Sequence, residues 1–443
     1  MKFIRSLYLS RLFFILLTGI IFLFLLAFVF PWLFGVVRVY FFIVLVLAVA
    51  DGAALYVPKK AFFARREMAD RFSNGDANPV SIFLENRYPF PVRLEIIDEI
   101  PFQFQKRDVL FHTRMTEQTQ QIIRYELRPV KRGEYEFGAV NVYTRTPLGL
   151  IRRRFRFSQD AIVAVYPSFL QMRQYEFMAI SNRLTELGIK KIRRIGVSQE
   201  FEQIRPYVPG DEVRSVNWKA TARRNELMVN AFQEEKSQAI YCLIDKGRVM
   251  KSPFEELTLL DYAINASLVM SNIALIKQDK AGVMTFSDRI GQMVPADRKP
   301  GQLSRILELL YRQKTRFLET DYESLYLQVK QHIRQRSLLL LFTNFETVNA
   351  LHRVLPYLRR LAKDHLLIVI FFENTELQEL LSGPARTTEE IYLKTIAEKF
   401  FYEKQQIMRE LQQYGIQSVL TPPEKLTVNT INKYLEVKAR GMI

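Results

Sequence analysis

The stretch Gly196–Asp245, GVSQEFEQIRPYVPGDEVRSVNWKATARRNELMVNAFQEEKSQAIYCLID, divides the chain. Its first half mixes Arg, Asp, Glu, Asn, Trp and Pro. Its second half becomes an apolar run, Ala239 to Ile244, closed by the single carboxylate of Asp245. A short continuous apolar run of this kind reads as a buried strand. The residues before the stretch read as a membrane anchor and a β-rich region, and those after it alternate strands with helices. The stretch is therefore a junction.

The chain has 443 residues, enough for two or three domains that each bury a core. Its net charge is +17, compatible with nucleic acid, an anionic membrane surface or an acidic partner. One cysteine, Cys242, excludes an intrachain disulfide framework and any zinc site built on several thiolates. Leu12 to Phe30 is an uninterrupted apolar run, long enough to cross a bilayer as a helix, and Pro31 breaks it. A second run, Val36 to Val57, carries only Arg38 near its start and Asp51 near its end, both expected to reach an interface by snorkelling. The first run is too long for a signal peptide and no small-residue cleavage site follows it. Two transmembrane helices, about 12–30 and 36–57, then form a hairpin in an anchor spanning 1–58. Lys2, Arg5 and Arg11 precede the hairpin, and Lys59, Lys60, Arg65 and Arg66 follow it. The positive-inside rule places both termini and all later domains in the cytoplasm.

From 68 to 167 the chain shows short runs rich in β-branched and aromatic residues: Val80–Glu85, Val92–Ile97, Ile122–Leu127, Tyr135–Tyr143 and Ile162–Tyr166. Turn residues separate them, which suggests an all-β, sandwich-like domain. The cluster Arg152–Arg154 with Arg156, and Lys190, Lys191, Arg193 and Arg194 after a short helix, are either lipid-facing patches or solvated faces. From 239 to 443 the rhythm is strand–helix. Helices are expected over Thr258–Ile276, Ser304–Tyr311, Tyr322–His332, Glu389–Tyr414 and about Val428–Ala439. Strands are expected over Gly282–Phe286, Leu338–Phe342, Leu366–Phe372 and Ile416–Leu420. This is a doubly wound α/β pattern.

Within the junction segment 168–238, Asp211 is placed to cap a helix from Glu212, after a turn at Pro209-Gly210. On that helix Val213, Val216 and Ala220 share one face, and Arg214, Asn217 and Thr221 an adjacent polar one. Arg205, Tyr207, Trp218 and Arg223 add guanidinium and aromatic surface, the residue types that most often anchor protein contacts. Arg205, Tyr207, Gly210, Asp211, Arg214, Asn217, Trp218, Thr221 and Arg223 thus form either a docking surface or a buried network locking two domains together.

The segments Arg128–Gly138 (RPVKRGEYEFG), Thr144–Leu150 (TRTPLGL), Val163–Pro167 (VAVYP) and above all Glu200–Arg223 resemble the bacterial family called domain of unknown function 58. The resemblance implies a membrane hairpin, a β-rich region, a C-terminal α/β domain similar to von Willebrand factor type A, and a MoxR-type AAA+ ATPase as partner. Type A domains often hold a divalent cation on an Asp-x-Ser-x-Ser run, a Thr and a second Asp. This chain departs from that set. Asp245 and Thr320 match, but Gly247 and Val249 stand at the hydroxyl positions, Asn344 replaces the second Asp, and Lys246 and Arg248 add positive charge. Mg²⁺ wants hard oxygen ligands. The expectation is a degenerate remnant without metal or cofactor, its Asp245 kept by ion pairing with Lys246, Arg248 or a neighbouring loop.

His112, His332, His352 and His365 are scattered without metal spacing, and no nucleophile elbow or phosphate-binding loop is present. The reading is a non-catalytic adaptor at the bacterial inner membrane that touches lipid and recruits or regulates a MoxR-type ATPase. A basic module for anionic lipid or nucleic acid, and a hydrolase with an unrecognised site, are the alternatives.

Overall fold

Two apolar helices open the chain. The computed structural model describes residues 6–58, 61–105, 109–158, 160–180, 200–209, 216–233, 237–315, 318–375, 377, 381 and 387–442. These fall into two units, Met1–Tyr166 and Pro167–Ile443.

In the first unit a short strand, β1 (Leu7–Leu9), precedes helix α1 (Arg11–Val29); a 3-10 turn at Pro31–Leu33 leads into α2 (Phe34–Tyr56). Their 19 and 23 residues correspond to about 28 and about 34 Å of helix, against about 30 Å of bilayer hydrocarbon. Most of their leucine, isoleucine, valine and phenylalanine side chains are exposed, an arrangement suited to lipid rather than water.

Ten further strands follow: β2 (Phe62–Met68), β3 (Arg71–Ser73), β4 (Asn78–Asn86), β5 (Val92–Asp98), β6 (Leu110–Met115), β7 (Gln120–Leu127), β8 (Gly133–Phe137), β9 (Val140–Arg145), β10 (Ile151–Phe157) and β11 (Ala161–Tyr166). They form sheets ordered β1-β10-β9-β5-β6, β2-β4-β7 and β3-β11-β8. Ala64, Ile82 and Leu84 of the second sheet share a core with Leu94, Ile96 and Val142 of the first. The alternating pattern of β4 and β5, buried at every second residue, follows from the two-residue period of a strand.

Several expectations change here. The strands begin before residue 68, at Phe62, and β1 from ahead of the first helix joins the same sheet as β10. The run Tyr135–Tyr143 is two strands, because Gly138 donates to the Glu99 backbone at 2.9 Å and Ala139 to the Glu99 carboxylate at 2.9 Å. Asp51 does not snorkel: it is 1% exposed and accepts from the Thr146 hydroxyl, Leu150 N at 2.9 Å and Ile151 N at 2.8 Å. Arg66, one of the basic residues counted after the hairpin, has its guanidinium buried against the Asp98 carboxylate. The basic cluster is largely the strand β10 and is held internally. Arg152 pairs with Glu95 at 3.2 Å, Arg153 donates to Leu55 and Pro58 carbonyls, and Arg154 donates to Asn141 at 2.8 Å. Lys190, Lys191, Arg193 and Arg194 lie outside the described residues.

The second unit starts with α3 (Phe169–Ile180), β12 (Glu200–Pro206), α4 (Trp218–Arg224) and β13 (Met228–Gln233). Then come β14 (Ala239–Asp245), the hairpin β15 (Pro253–Phe254) and β16 (Leu257–Thr258), α5 (Leu259–Ile276), β17 (Lys280–Phe286), β18 (Ile290–Asp297), α6 (Gln302–Tyr311), α7 (Tyr322–His332), β19 (Leu338–Phe342), α8 (Val348–Asp364), β20 (Leu366–Phe372), α9 (Thr388–Gln413), β21 (Gln417–Thr421) and α10 (Leu426–Ala439). One sheet runs β18-β17-β14-β19-β20-β21, parallel except for β18. Ile240, Cys242 and Ile244 point to one core with α5, α6 and α10; Tyr241 and Leu243 point to the other with α7, α8 and α9. Helices on both faces explain why β19 and β20 are apolar at every position, and β14 at every position before Asp245. Helix α5 is also long and apolar enough to cross a membrane, but it is buried in this core. Neither β18 nor α8 follows from the strand–helix rhythm alone: β18 is a polar-flanked edge, and α8 carries Pro356 in its interior.

Candidate functional site at the carboxyl end of the sheet

Strands β14 and β19 lie side by side in parallel, so the loops after Asp245 and Phe342 open at one edge. In an open α/β sheet this is where ligands bind. A cleft of 310 Å³ lies there, lined among others by Asp245, Arg248, Glu319, Thr320, Tyr322, Asn344, Arg353 and Tyr357.

Asp245 forms its floor and is 1% exposed. Its Oδ1 accepts from Gly247 N at 2.8 Å and the Thr320 hydroxyl at 2.6 Å; its Oδ2 accepts from the Thr343 hydroxyl at 2.7 Å and the Tyr322 hydroxyl at 3.4 Å. Burial pushes the carboxyl above its ordinary range, opposed by these hydrogen bonds. Burial likewise drives the Tyr322 phenol well above its usual value, with Asp245 beside it adding to the shift. Of the partners expected for Asp245, namely Lys246, Arg248 or a neighbouring loop, Arg248 is turned elsewhere: it lies 4.0 Å from Glu319, which also meets Arg353 at 3.4 Å. Hydroxyls and a backbone amide hold the carboxylate.

A type A-like cation set does not fit these residues. A Cβ at Gly247 would overlap the Thr320 hydroxyl, so no ligating side chain can stand there as Thr320 is placed. Asn344 is engaged by an amine: its Oδ1 accepts from Lys404 Nζ of α9 at 2.6 Å. That amine lies 5.5 Å from the centre of the Phe371 ring. Burial lowers it from 10.5 to about 8, with Glu346 pulling the other way. Among the described residues no group of three or more His, Cys, Asp or Glu is placed to hold a metal ion. Sequence reading found Asp245, Thr320 and Asn344 but missed Tyr322, Thr343 and Lys404. Thr343 was visible as the hydroxyl directly after an apolar strand; Lys404 was not, because α9 reaches Asn344 only through the fold.

The junction residues divide by role. Strands β12 and β13 pair antiparallel, with Arg205 opposite Val229, and Tyr207 N donates to Leu227 O at 2.7 Å. Val216 bridges to Val229, so it is not on the helical face expected of it, and α4 starts at Trp218; Glu212 and Val213 lie outside the described residues. Asn217 is the cap of α4, not part of a polar helical face: its Oδ1 accepts from Ala220 N at 3.0 Å and its Nδ2 donates to Asn230 at 2.8 Å. Thr221 accepts from Met228 N at 3.0 Å. Met228 and Val229 are buried beneath, whereas Trp218 is 68% exposed and Arg223 is exposed. Gly210, Asp211 and Arg214 lie outside the described residues.

Residues 203–390 match the family described as Protein of unknown function DUF58, a span that takes in most of the junction strand pair and the whole cleft rim. The uncharacterized protein YeaD of Bacillus subtilis (strain 168) is 31% identical over 227 residues, 49% of this chain. The chain spans 54% of that relative's length. Similar solved structures include the CARDB domain of PF1109 from Pyrococcus furiosus (TM-score 0.17, 8% identity, 24% of this chain and 86% of that one). Another is proximal thread matrix protein 1 from the mussel byssus (TM-score 0.27, 15% identity, 46% and 48%). Likeness of that degree carries no functional inference. The match over residues 203–390 and the YeaD relative make this part of the chain similar to the DUF58 family of proteins of unknown function.

Proposed function

We propose that the chain is a membrane-anchored, non-catalytic adaptor of the bacterial inner membrane, whose α/β unit recruits or regulates a MoxR-type AAA+ ATPase. The observation that carries the non-catalytic reading is the state of the cleft floor. All of the acceptor geometry offered by Asp245 is taken by hydroxyls and an amide, and Asn344 is taken by Lys404, which leaves a rim for binding rather than a poised nucleophile and base. The strand order β18-β17-β14-β19-β20-β21, with its antiparallel edge, supports a von Willebrand factor type A-like arrangement. The partner comes from the family resemblance, and exposed Trp218 is a surface residue of the type that anchors contacts.

Anchoring rests on the hairpin. Strand β1 ahead of α1 and strand β2 behind α2 both belong to the first unit, which supports a helix pair that leaves and returns on one side of the bilayer. The reading as a nucleic-acid module is weakened by the internal engagement of the β10 arginines. A cross-linked pull-down of the full chain from native membranes, with and without ATP, tests the adaptor reading. Nucleotide-dependent recovery of an AAA+ ATPase is expected, and recovery of none overturns it.

A further inference from the structure

We propose that the β9–β10 turn, Thr146-Pro147-Leu148-Gly149-Leu150, enters the membrane surface as a third lipid contact with Leu148 at its tip. The proposal rests on reading α1 and α2 as membrane spans. Depth is the first argument. Asp51 lies five residues inside the end of α2 at Tyr56, about 8 Å along the helix. The turn meets it there: Thr146 donates its hydroxyl, and Leu150 and Ile151 their backbone N–H groups. From the other side Ser10, which caps α1, donates its N–H to Leu150 O at 3.0 Å. The turn is therefore level with the first residue of α1 and well inside the end of α2. Measured from that level, the 19 residues of α1 cover about 28 Å, close to the whole hydrocarbon thickness. The level of Ser10, Asp51 and Leu150 is thus the edge of the hydrocarbon.

Chemistry is the second. Residues 146–150 carry no charge. Pro147 has no N–H, Gly149 N donates to the Thr146 hydroxyl at 3.2 Å, and Leu150 and Ile151 donate to Asp51, so these polar groups need no water. Pairing of these groups lowers the cost of bringing the turn into the membrane surface. Gly149 has φ +71°, which forms the reversal that leaves Leu148 outward and 52% exposed. Leu9 and Leu12, on either side of Ser10 at the start of α1, are exposed as well.

The test uses the full chain in phosphatidylethanolamine–phosphatidylglycerol vesicles, with single cysteines Leu148→Cys, Ile15→Cys and Phe102→Cys carrying an environment-sensitive fluorophore. The native Cys242 is buried with its thiol pushed up to about 12, so it does not compete for label. Phe102 is the control, because it follows Asp98, which pairs with Val140 at the opposite end of β9 from the turn. The expected result is a blue shift and loss of most emission to shallow spin-labelled lipid at 148 and to deep spin-labelled lipid at 15, with neither at 102. Quenching at 15 but not 148 overturns the turn insertion and leaves the spans standing. Quenching at neither overturns both readings. Equal quenching at 148 and 102 also overturns the proposal, since it reports unspecific adsorption.

Discussion

The Asp51 carboxylate accepts the backbone N–H of Ile151 at 2.8 Å, fastening the last turns of α2 to the start of β10. The fastening is reinforced below. Tyr88 donates its hydroxyl to Leu55 O at 2.8 Å, and Arg153 donates to the same carbonyl and to Pro58 O. The Leu55 carbonyl in the last turn of α2, which has no partner further along the helix, is thus supplied by Tyr88 and by Arg153 of β10. Helix α2 and the first sheet are consequently one mechanical element, not a domain on a loose tether.

Replacing Asp51 by Ala removes the acceptor for two buried amides and a hydroxyl. Each buried donor left unpaired costs about 1–3 kcal/mol. The expected outcome is a clear fall in the thermal midpoint of the detergent-solubilised chain, with Asp51→Asn falling less because one acceptor oxygen remains. A midpoint equal to the parent's would mean the helix is not held through this group.

Arg66 and Asp98 form a buried pair whose side chains are 1% and 0% exposed, completed by the Tyr125 hydroxyl on Asp98 and by Gly138 O, which accepts from Arg66 at 3.0 Å. Removing one partner leaves an uncompensated buried charge, about 3–5 kcal/mol. Arg66→Ala should therefore destabilise the first unit more than the joint change Arg66→Met with Asp98→Leu. Denaturant unfolding of both variants decides it, and equal losses would contradict the pairing.

Much of this was legible beforehand, and the reasons differ by element. Leu338–Phe342 and Leu366–Phe372 came out residue for residue, because a strand covered on both faces must be apolar throughout. The two apolar helices were legible from length alone. Asp51 was misread because a charge near the end of an apolar run looks interfacial until its partners, 95 to 100 residues away, are known. The cleft was half legible: Asp245 ends an apolar strand, whereas Tyr322 and Lys404 arrive by tertiary packing.

Asn217 and Trp218 are adjacent yet should separate on mutation. Asn217→Ala removes a helix cap, costing about 1 kcal/mol, together with its bond to Asn230. Trp218→Ala, at an exposed position, should leave the unfolding midpoint within about 0.5 kcal/mol of the parent. Partner recovery in the ATP-dependent pull-down should fall with Trp218→Ala. Full recovery with that variant would remove Trp218 from the contact.

At the cleft floor, Gly247→Ser brings a Cβ onto the Thr320 hydroxyl and displaces it from Asp245. Lower stability is expected despite the added hydroxyl, and restored stability with Mg²⁺ would contradict the poor fit of this site for a cation. Asp245→Asn takes away the buried charge. Because burial raises the Asp245 pKa, the folded state holds that proton to higher pH than the unfolded chain does, so the parent loses stability as pH rises from about 4 through the folded value. The Asn variant should lack that part of the decline, read as the parent-minus-variant difference in denaturant midpoint.

Lys404 gives the opposite sign at the other end of the scale. Its amine is lowered to about 8 from 10.5 by burial near Phe371, so below about 8 both folded and unfolded chains hold the proton, and the fold bears the cost of the buried charge. Between about 8 and 10.5 the unfolded chain binds a proton that the folded chain has released, and stability must climb with pH. Lys404→Met keeps a flexible side chain against Phe371 and abolishes the titration. Unfolding midpoints of parent and variant, measured in parallel from neutral pH to the lysine range, should therefore diverge in the parent's favour as pH rises. Other groups that titrate in this window cancel in the difference. Parallel curves would mean the Lys404 amine titrates as an ordinary surface lysine and does not sit buried on Asn344.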